Sequence, residues 1–337
     1  MNLNDNSYIH LYSSCKLVKG KKRGTITDLQ RSRVELVPNE LIDIVIQFNG
    51  RKISDIKTSR YSIDDIKIIE EYFQFLIEKE IIFLSKEKTS FYTSNEIYET
   101  PKQIISAILD VDKNSTYKLS EAIKKIEMLG CDNVQIRLYD YKVNPKKLGK
   151  IVSVFNNTSF RYVEFLLQYE PKFISDFQKI FKQNNRVYLV YFHSYKGQDK
   201  IEDVDSIKYI YTSEKIVSSD FCGYILPFYF DISPITYYIG EQYNTCLYKK
   251  IAVDVEGNVK NCPSMKNNFG HIGITNLNEI ITSSDFTKYW NITKDKISIC
   301  KSCEFRKICT DCRAYLNENE LYEKPKRCDY EPSQPNW

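Results

Sequence analysis

Seven of the ten cysteines of this 337-residue chain lie between positions 246 and 328. We predict that they bind metal rather than form disulfides, because the polar N-terminal residues are not a secretory signal and intracellular thiols are kept reduced. The predicted metal ligands are Cys246, Cys262, Cys300, Cys303, Cys309, Cys312 and Cys328.

The spacing of these cysteines limits the kind of metal site. Cys300-x2-Cys303 and Cys309-x2-Cys312 are separated by only five residues, whereas the halves of a zinc knuckle are typically a dozen or more residues apart. The short spacer favours ligands that serve different centres, as in iron–sulfur ferredoxins. Seven thiolates are one short of two four-cysteine sets, so either Cys222 is the eighth or one iron is open to a substrate or another ligand. One or two structural zinc sites remain the alternative.

The cysteine order also resembles a known family. Cys246, Gly257-x4-Cys262, a CxxCx5C run and a final Cys328 resemble the SPASM domain, the auxiliary iron–sulfur domain of many radical SAM peptide-modifying enzymes. Three longer runs resemble the SPASM-domain peptide maturase of grasp-with-spasm cassettes. These runs are Tyr243-Asn-Thr-Cys-Leu-Tyr-Lys-Lys250, Lys260-Asn-Cys-Pro-Ser-Met265 and Cys309-Thr-Asp-Cys-Arg-Ala-Tyr315.

The resemblance implies two 4Fe–4S clusters in a domain over residues 217–337. By the family's ligand pattern, one set of ligands would be Cys246, Cys262 and Cys312, and the other would be Cys300, Cys303, Cys309 and Cys328. One departure is that two residues separate Cys309 from Cys312, where the family usually has three.

Residues 1–85 form the first predicted domain. Strand-like residues at 8–18, 24–29 and 33–37 precede apolar helical periodicities that start at Pro38 and Ser62. Three strands followed by helices resemble the PqqD-like winged helix that binds the leader of a precursor peptide as an added strand. The resemblance implies that Val34 and Leu36 on the edge strand, and Ile69 and Phe73 on the helix, contact this peptide. The alternative is that these four residues are only the core of a small domain.

Residues 102–216 alternate between strand and helix patterns. Strands are expected at 104–109, 134–138, 162–167 and 187–192, and helices at 118–129, 146–155 and 173–182. Such alternation predicts an α/β domain with a parallel sheet, either doubly wound or a partial barrel. The overall prediction is an α/β protein with a PqqD-like winged helix, a degenerate partial (β/α) barrel resembling radical SAM enzymes, and a SPASM-like iron–sulfur domain.

A missing motif limits the chemistry. Radical SAM enzymes carry CxxxCxxC after the first barrel strand, but here the corresponding residues 110–117 contain no cysteine. S-adenosylmethionine is therefore not expected as a cofactor. The catalytic residues are unknown from the sequence, and whether the chain is an enzyme stays open.

Charge and hydropathy bound the partners. The formal net charge of +4 is interspersed, which argues against nucleic acid, and no apolar run is long enough to span a membrane. The sequence favours a cytoplasmic protein of ribosomal-peptide maturation that binds a precursor peptide, with an ATP-grasp ligase as the partner implied by the cassette resemblance. The alternative is a metal-stabilised, non-enzymatic regulatory or redox-sensing protein.

Overall fold

We describe the fold from a computed structural model, which covers residues 5–88, 97–317 and 320–336. Residues 86–101, which separate the first two predicted domains and whose polar, mixed composition suits a linker, lie partly outside the described residues, since positions 89–96 are not among them.

The N-terminal part of the chain contains five strands and three helices. The strands are β1 (Tyr8–Leu11), β2 (Cys15–Lys19), β3 (Gly24–Asp28), β4 (Arg33–Val37) and β5 (Ile82–Ser85), and the helices are α1 (Asn39–Phe48), α2 (Ser54–Lys57) and α3 (Ile63–Glu78). β2, β3 and β4 form an antiparallel sheet in which β4 is an edge strand, while β1 pairs with β5. The single strand predicted at 8–18 is thus two strands, because the turn between Tyr12 and Cys15 sends them into different sheets.

The local sequence of α3 determines where this helix begins and which face is buried. The Ser62 side chain accepts from the Asp65 backbone N–H, and the Asp65 carboxylate accepts from the Ser62 N–H, which forms a capping box. Ile69, Phe73 and Leu76 recur on one face and are buried against α1. Burial of each such side chain contributes about 1.5–3 kcal/mol before entropy is counted.

The central sheet has eight strands and follows the predicted βα alternation. Its strands are β6 (Ser106–Val111), β7 (Asn133–Leu138), β8 (Tyr162–Gln168), β9 (Val187–His193), β10 (Lys200–Val204), β11 (Ile207–Tyr211), β12 (Lys250–Val253) and β13 (Val259–Lys260). The helices between β6 and β9 are α4 (Leu119–Glu127), α5 (Pro145–Ser153) and α6 (Ile174–Lys182). The predicted elements are present with ends that differ by up to a few residues, and the hairpin β10–β11 was not predicted.

The strand order shows how the sheet is wound. Across the sheet the order is β10-β11-β9-β8-β7-β6-β12-β13, with β6 to β9 parallel and in sequence order. Because right-handed crossovers between successive neighbours return on the same side, α4, α5 and α6 cover one face of the sheet. Val134, Ile136 and Leu138 of β7 pack there in the main hydrophobic core. This winding corresponds to the partial-barrel alternative rather than the doubly wound one.

Residues 217–336 contain little regular structure. Among the residues of this range that the structure describes there are three helices, α7 (Pro234–Gln242), α8 (Leu277–Thr282) and α9 (Ser284–Thr287), together with four short 3-10 turns. β12 pairs in parallel with β6, so this segment extends the central sheet. The division at 216/217 stays a prediction, while the sheet itself includes strands from both sides of it.

Candidate metal centre

Four of the predicted ligands surround a chamber in the C-terminal segment. Cys300, Cys303, Cys309 and Cys328 line it together with apolar side chains such as Phe230. The space between the lining atoms, part of it open to solvent, is about 350 Å³. We call this the first chamber.

A buried charge network lies beside the first chamber. Lys294 Nζ is 2.9 Å from Asp311 Oδ1 and 3.9 Å from Cys300 Sγ. Arg313 Nη2 donates to the same carboxylate oxygen at 2.7 Å. Burial opposes the charge on Lys294, but Asp311 and the neighbouring sulfurs of Cys309 and Cys300 raise its pKa. The Lys294 ammonium is thus held next to the Cys300 thiol, where it would stabilise an anionic centre.

The other three predicted ligands line a second, larger chamber. Cys246, Cys262 and Cys312 surround it, and Cys222 from an upstream loop lines it as well. The space between its lining atoms, part of it open to solvent, is about 840 Å³. We call this the second chamber. Each of the two cysteine groups implied by the resemblance thus lines one chamber, and Cys222 is an additional cysteine in the second. That these cysteines bind metal stays a prediction.

Asn244 positions Cys246 and connects it to the rest of the centre. Its Oδ1 accepts from the backbone N–H groups of Cys246 at 3.0 Å and Leu247 at 2.8 Å. Its Nδ2 donates to Asp311 Oδ2 at 2.5 Å. The side chain is buried and satisfied, so it fixes the turn that carries Cys246.

A tight hairpin positions Cys262. Between β12 and β13, Asp254 Oδ1 accepts from the backbone N–H groups of Glu256 and Asn258 at 3.0 and 2.9 Å. Gly257 has φ +85°, which suits glycine, and a Cβ there would meet the His271 ring. The hairpin brings Cys262, just after β13, into the chamber that Cys246 lines.

Each chamber contains thiols that are shielded from water. Burial raises the pKa of Cys262 and Cys309 to about 12 and that of Cys312 to about 11. Without a bound cation these thiols are protonated at neutral pH, and a cation would deprotonate them on binding. No three Cys, His, Asp or Glu side chains converge closely enough to hold a single metal ion, within the ranges that the structure describes. The sulfurs surround a space instead, which fits a multi-iron cluster that bonds each thiolate to a different iron.

The N-terminal sheet is bound directly to the first chamber's cysteine loop. Arg23 Nε donates to Glu304 Oε1 at 2.8 Å, and Thr25 Oγ1 donates to the Glu304 carbonyl at 2.9 Å. Tyr330 OH also donates to the Glu304 carboxylate. Since Glu304 follows Cys303 in the sequence, the β2–β3 hairpin and a candidate ligand share one hydrogen-bonded unit.

The four predicted peptide-contact residues have different environments. Leu36 on the edge strand β4 is 49% exposed, whereas Val34 packs against the apolar cluster that joins the N-terminal sheet to the C-terminal segment. Ile69 and Phe73 are 2% and 1% exposed and belong to the N-terminal core. Peptide contact stays a prediction for all four, and only Leu36 presents a largely exposed side chain.

The sheet end where radical SAM chemistry would be placed is covered by apolar side chains. Tyr139, Leu166 and Ile216 form a buried cluster there, with Phe221 packed against it. Asp110, the last residue but one of β6, has a buried carboxyl group, and burial raises its pKa to about 7. Its Oδ1 has no hydrogen-bond partner within the described part of the chain.

Sequence reasoning missed the residues that support the cysteines. Asn244, Lys294, Glu304 and Asp311 were not singled out. Asn244 and Asp311 lie within runs quoted for the resemblance, but only the cysteines of those runs were considered as functional residues. The burial of these four polar residues, which depends on contacts between distant segments, is the property that identifies them.

A family model described as the SPASM iron–sulfur cluster-binding domain matches residues 245–304. None of the curated proteins matches significantly. Among solved structures, Streptococcus suis SuiB bound to the precursor peptide SuiA is 10% identical, with 94% of this chain and 98% of that chain covered and a TM-score of 0.30. SuiB bound to S-adenosylmethionine is also 10% identical, with coverage of 95% and 100% and a TM-score of 0.29.

In the described ranges, every helix is too short or too polar to cross a membrane.

Proposed function

We propose that this protein takes part in the maturation of a ribosomally made peptide, binds the precursor through its N-terminal domain and carries two 4Fe–4S clusters in its C-terminal segment. The observation that carries this proposal is the sorting of the seven predicted ligands into two chambers, four in the first and three in the second. Four thiolates form the full ligand set of a 4Fe–4S cluster.

The clusters would be held by Cys300, Cys303, Cys309 and Cys328 in the first chamber and by Cys246, Cys262 and Cys312 in the second. When bound, such clusters accept and return single electrons. The chain's own part is to bury the ligands, to place Lys294 beside Cys300 and to fix Cys246 through Asn244.

The precursor would bind at the free edge of β4. An edge strand presents unpaired backbone N–H and C=O groups, and an added peptide strand satisfies them while side-chain pockets give selectivity. Residues 1–85 would act as the PqqD-like module, with the exposed Leu36 as the side chain available for contact. Ile69 and Phe73 would then support the binding surface from within the core.

The chain would present the bound peptide to an ATP-grasp ligase rather than cleave S-adenosylmethionine itself. Two observations support this role. The loop after β6 contains no cysteine, and apolar side chains cover the neighbouring strand ends.

The first test is metal analysis of anaerobically purified protein. We expect about eight irons and eight sulfides per chain, with a broad absorption band near ~400 nm. One or two zincs without sulfide would overturn the cluster assignment.

The second test is peptide binding. Synthetic peptides that cover the small open reading frames encoded beside the gene are titrated against the full-length protein. We expect one of them to bind, and Leu36→Lys to weaken that binding at least tenfold. Ile46→Lys is the matched control, because Ile46 is an exposed apolar residue on α1. If no peptide binds, or if both variants weaken binding equally, the edge-strand site is wrong.

A further inference from the structure

The loop that carries Cys222 closes one side of the second chamber. Phe221, Cys222, Gly223 and Tyr224 all line the space that Cys246, Cys262 and Cys312 also line. Of the ten cysteines, all of which are described, the two outside both chambers are Cys15 and Cys131. The Cys131 thiol lies 3.3 Å from the Asn133 carbonyl, in the core of the central sheet. The second chamber therefore has four thiols.

Hydrogen bonds from the C-terminal segment hold this loop in place. Arg327 Nη1 donates to the Cys222 carbonyl at 2.5 Å, and Tyr315 OH donates to Asp220 Oδ1 at 3.1 Å. Ser264 Oγ donates to the Ser219 carbonyl at 3.1 Å. Because Ser264 and Tyr315 lie two and three residues from Cys262 and Cys312, the same short segments anchor the loop and carry the thiols.

Gly223 allows the loop to approach the chamber closely. Its φ is +90°, and a Cβ on it would lie 2.7 Å from the Tyr315 ring and 3.0 Å from Cys312 Sγ. A side chain in this position would collide with a candidate ligand. The backbone next to Cys222 thus passes at van der Waals distance from Cys312.

The charges around Cys222 suit a thiolate. Lys250 Nζ lies 3.6 Å from Cys246 Sγ. The Arg137 guanidinium is 4.9 Å from the centroid of the Phe221 ring, beside Cys222. These two cations would compensate the negative charge that a fourth thiolate adds.

We propose that Cys222 is the fourth thiolate ligand of the second chamber, so that its cluster has no iron open to a substrate. Each ligand bond would form as the thiol loses its proton, and the step requires no oxidant. This inference rests on the clusters of the proposed function. It assigns the second cluster to electron transfer or structural support rather than to substrate coordination.

The test compares Cys222→Ala with Cys131→Ala, which removes a thiol outside the chambers. Full-length proteins are reconstituted anaerobically, their iron and sulfide are measured, and electron paramagnetic resonance spectra are recorded with and without added imidazole. We expect the wild type and Cys131→Ala to be insensitive to imidazole. Cys222→Ala should respond to imidazole and, on mild oxidation, yield a three-iron signal from the iron that lacks a thiolate.

The possible results distinguish a failure of the Cys222 assignment from a failure of the proposed function. If the wild type holds no iron and sulfide, the proposed function is wrong. If it holds two clusters but already binds imidazole, or if Cys222→Ala gives the wild-type spectrum, only the assignment of Cys222 is wrong.

Alkylation of the wild type provides a test that does not depend on the variant's folding. Holo protein is treated with iodoacetamide and the modified cysteines are identified by mass spectrometry. We expect Cys222 to be protected together with Cys246, Cys262 and Cys312, and to be modified once the iron is chelated. Modification of Cys222 alone in the holo protein would overturn the assignment.

Discussion

Arg23 and Glu304 form an ion pair of 2.8 Å between residues that are 281 positions apart in the sequence. Glu304 is 1% exposed and Arg23 is 29% exposed. The pair attaches the domain proposed to bind the peptide to the loop proposed to bind iron. A displacement of the N-terminal domain can therefore be transmitted to the cysteine loop through this ion pair, and the reverse also holds.

Replacing Glu304 tests the energetic weight of this attachment. Glu304→Gln keeps the shape of the side chain but removes its charge. The two donors, Arg23 and Tyr330, then face a neutral amide instead of a charged carboxylate acceptor. We expect a loss of about 1–3 kcal/mol in the free energy of unfolding, measured by urea denaturation. The control is Asp43→Asn, which breaks an exposed ion pair with Lys19 and should cost less than about 1 kcal/mol. Equal effects from the two variants would show that the buried pair has no special role.

Single cysteine replacements test the two-chamber assignment. Cys300→Ala should lose iron from the first chamber and leave the second occupied, because the two sets share no cysteine. Cys262→Ala should do the reverse. Iron content should fall by about half in each variant, with a different spectral component lost. Loss of both centres, or of neither, in either variant would contradict the pairing.

Two glycines allow the cost of backbone strain to be measured separately from the cost of a side-chain collision. Gly50 and Gly223 have φ of +76° and +90°, but a Cβ on Gly50 meets nothing within 4 Å. Gly50→Ala should therefore cost only about 1–2 kcal/mol of backbone strain. Gly223→Ala should cost more, and it should also lower the iron content, because its Cβ would displace Tyr315 or Cys312. Equal stability and iron content in the two variants would refute the close approach at Gly223.

His193 gives a pH-dependent contribution to stability. Its side chain is buried at the end of β9, and burial lowers its pKa to about 4. Between pH 4 and the ordinary value of about 6.5, the unfolded chain binds a proton that the folded chain does not. Stability from this group is thus complete above pH 6.5 and is lost as the pH falls towards 4, by roughly 3 kcal/mol in all.

The measurement is the difference in unfolding free energy between the wild type and His193→Gln from pH 7.5 to 4.5. The difference between the two proteins cancels the contribution of the other titratable groups, which both share. Both proteins are compared at equal iron content, so that the metal contributes equally to their stability. We expect the wild type to lose stability faster than the variant as the pH falls. Parallel curves, or an NMR titration of His193 near its ordinary pKa, would contradict the prediction.

The sequence predicted the parts that depend on local pattern. The βα alternation identified β6 to β9 with the helices between them, and the ligand pattern implied by the SPASM resemblance separated the two cysteine sets that line the chambers. The SPASM resemblance agrees with the domain match over residues 245–304.

Features that depend on distant contacts could not be predicted in this way. Nothing near Asp311 indicates that its carboxylate receives Lys294 and Asn244 from two other segments, in addition to Arg313 from its own. The separation of β1 from β2 also depends on a partner, β5, more than 60 residues later. Long-range pairing of this kind leaves no local periodicity to detect.

The pairing of β6 with β12 leaves one edge of β6 unpaired during synthesis of the chain. β6 is complete roughly 140 residues before the strand that covers its outer edge has been made. At about 5–20 residues per second, that edge stays unpaired for roughly 7–30 s. An open strand edge of this kind is a template for pairing with another chain. Synthesis should therefore be the stage at which this protein is most prone to aggregation, and chaperone supply during translation should limit its yield more than iron supply afterwards.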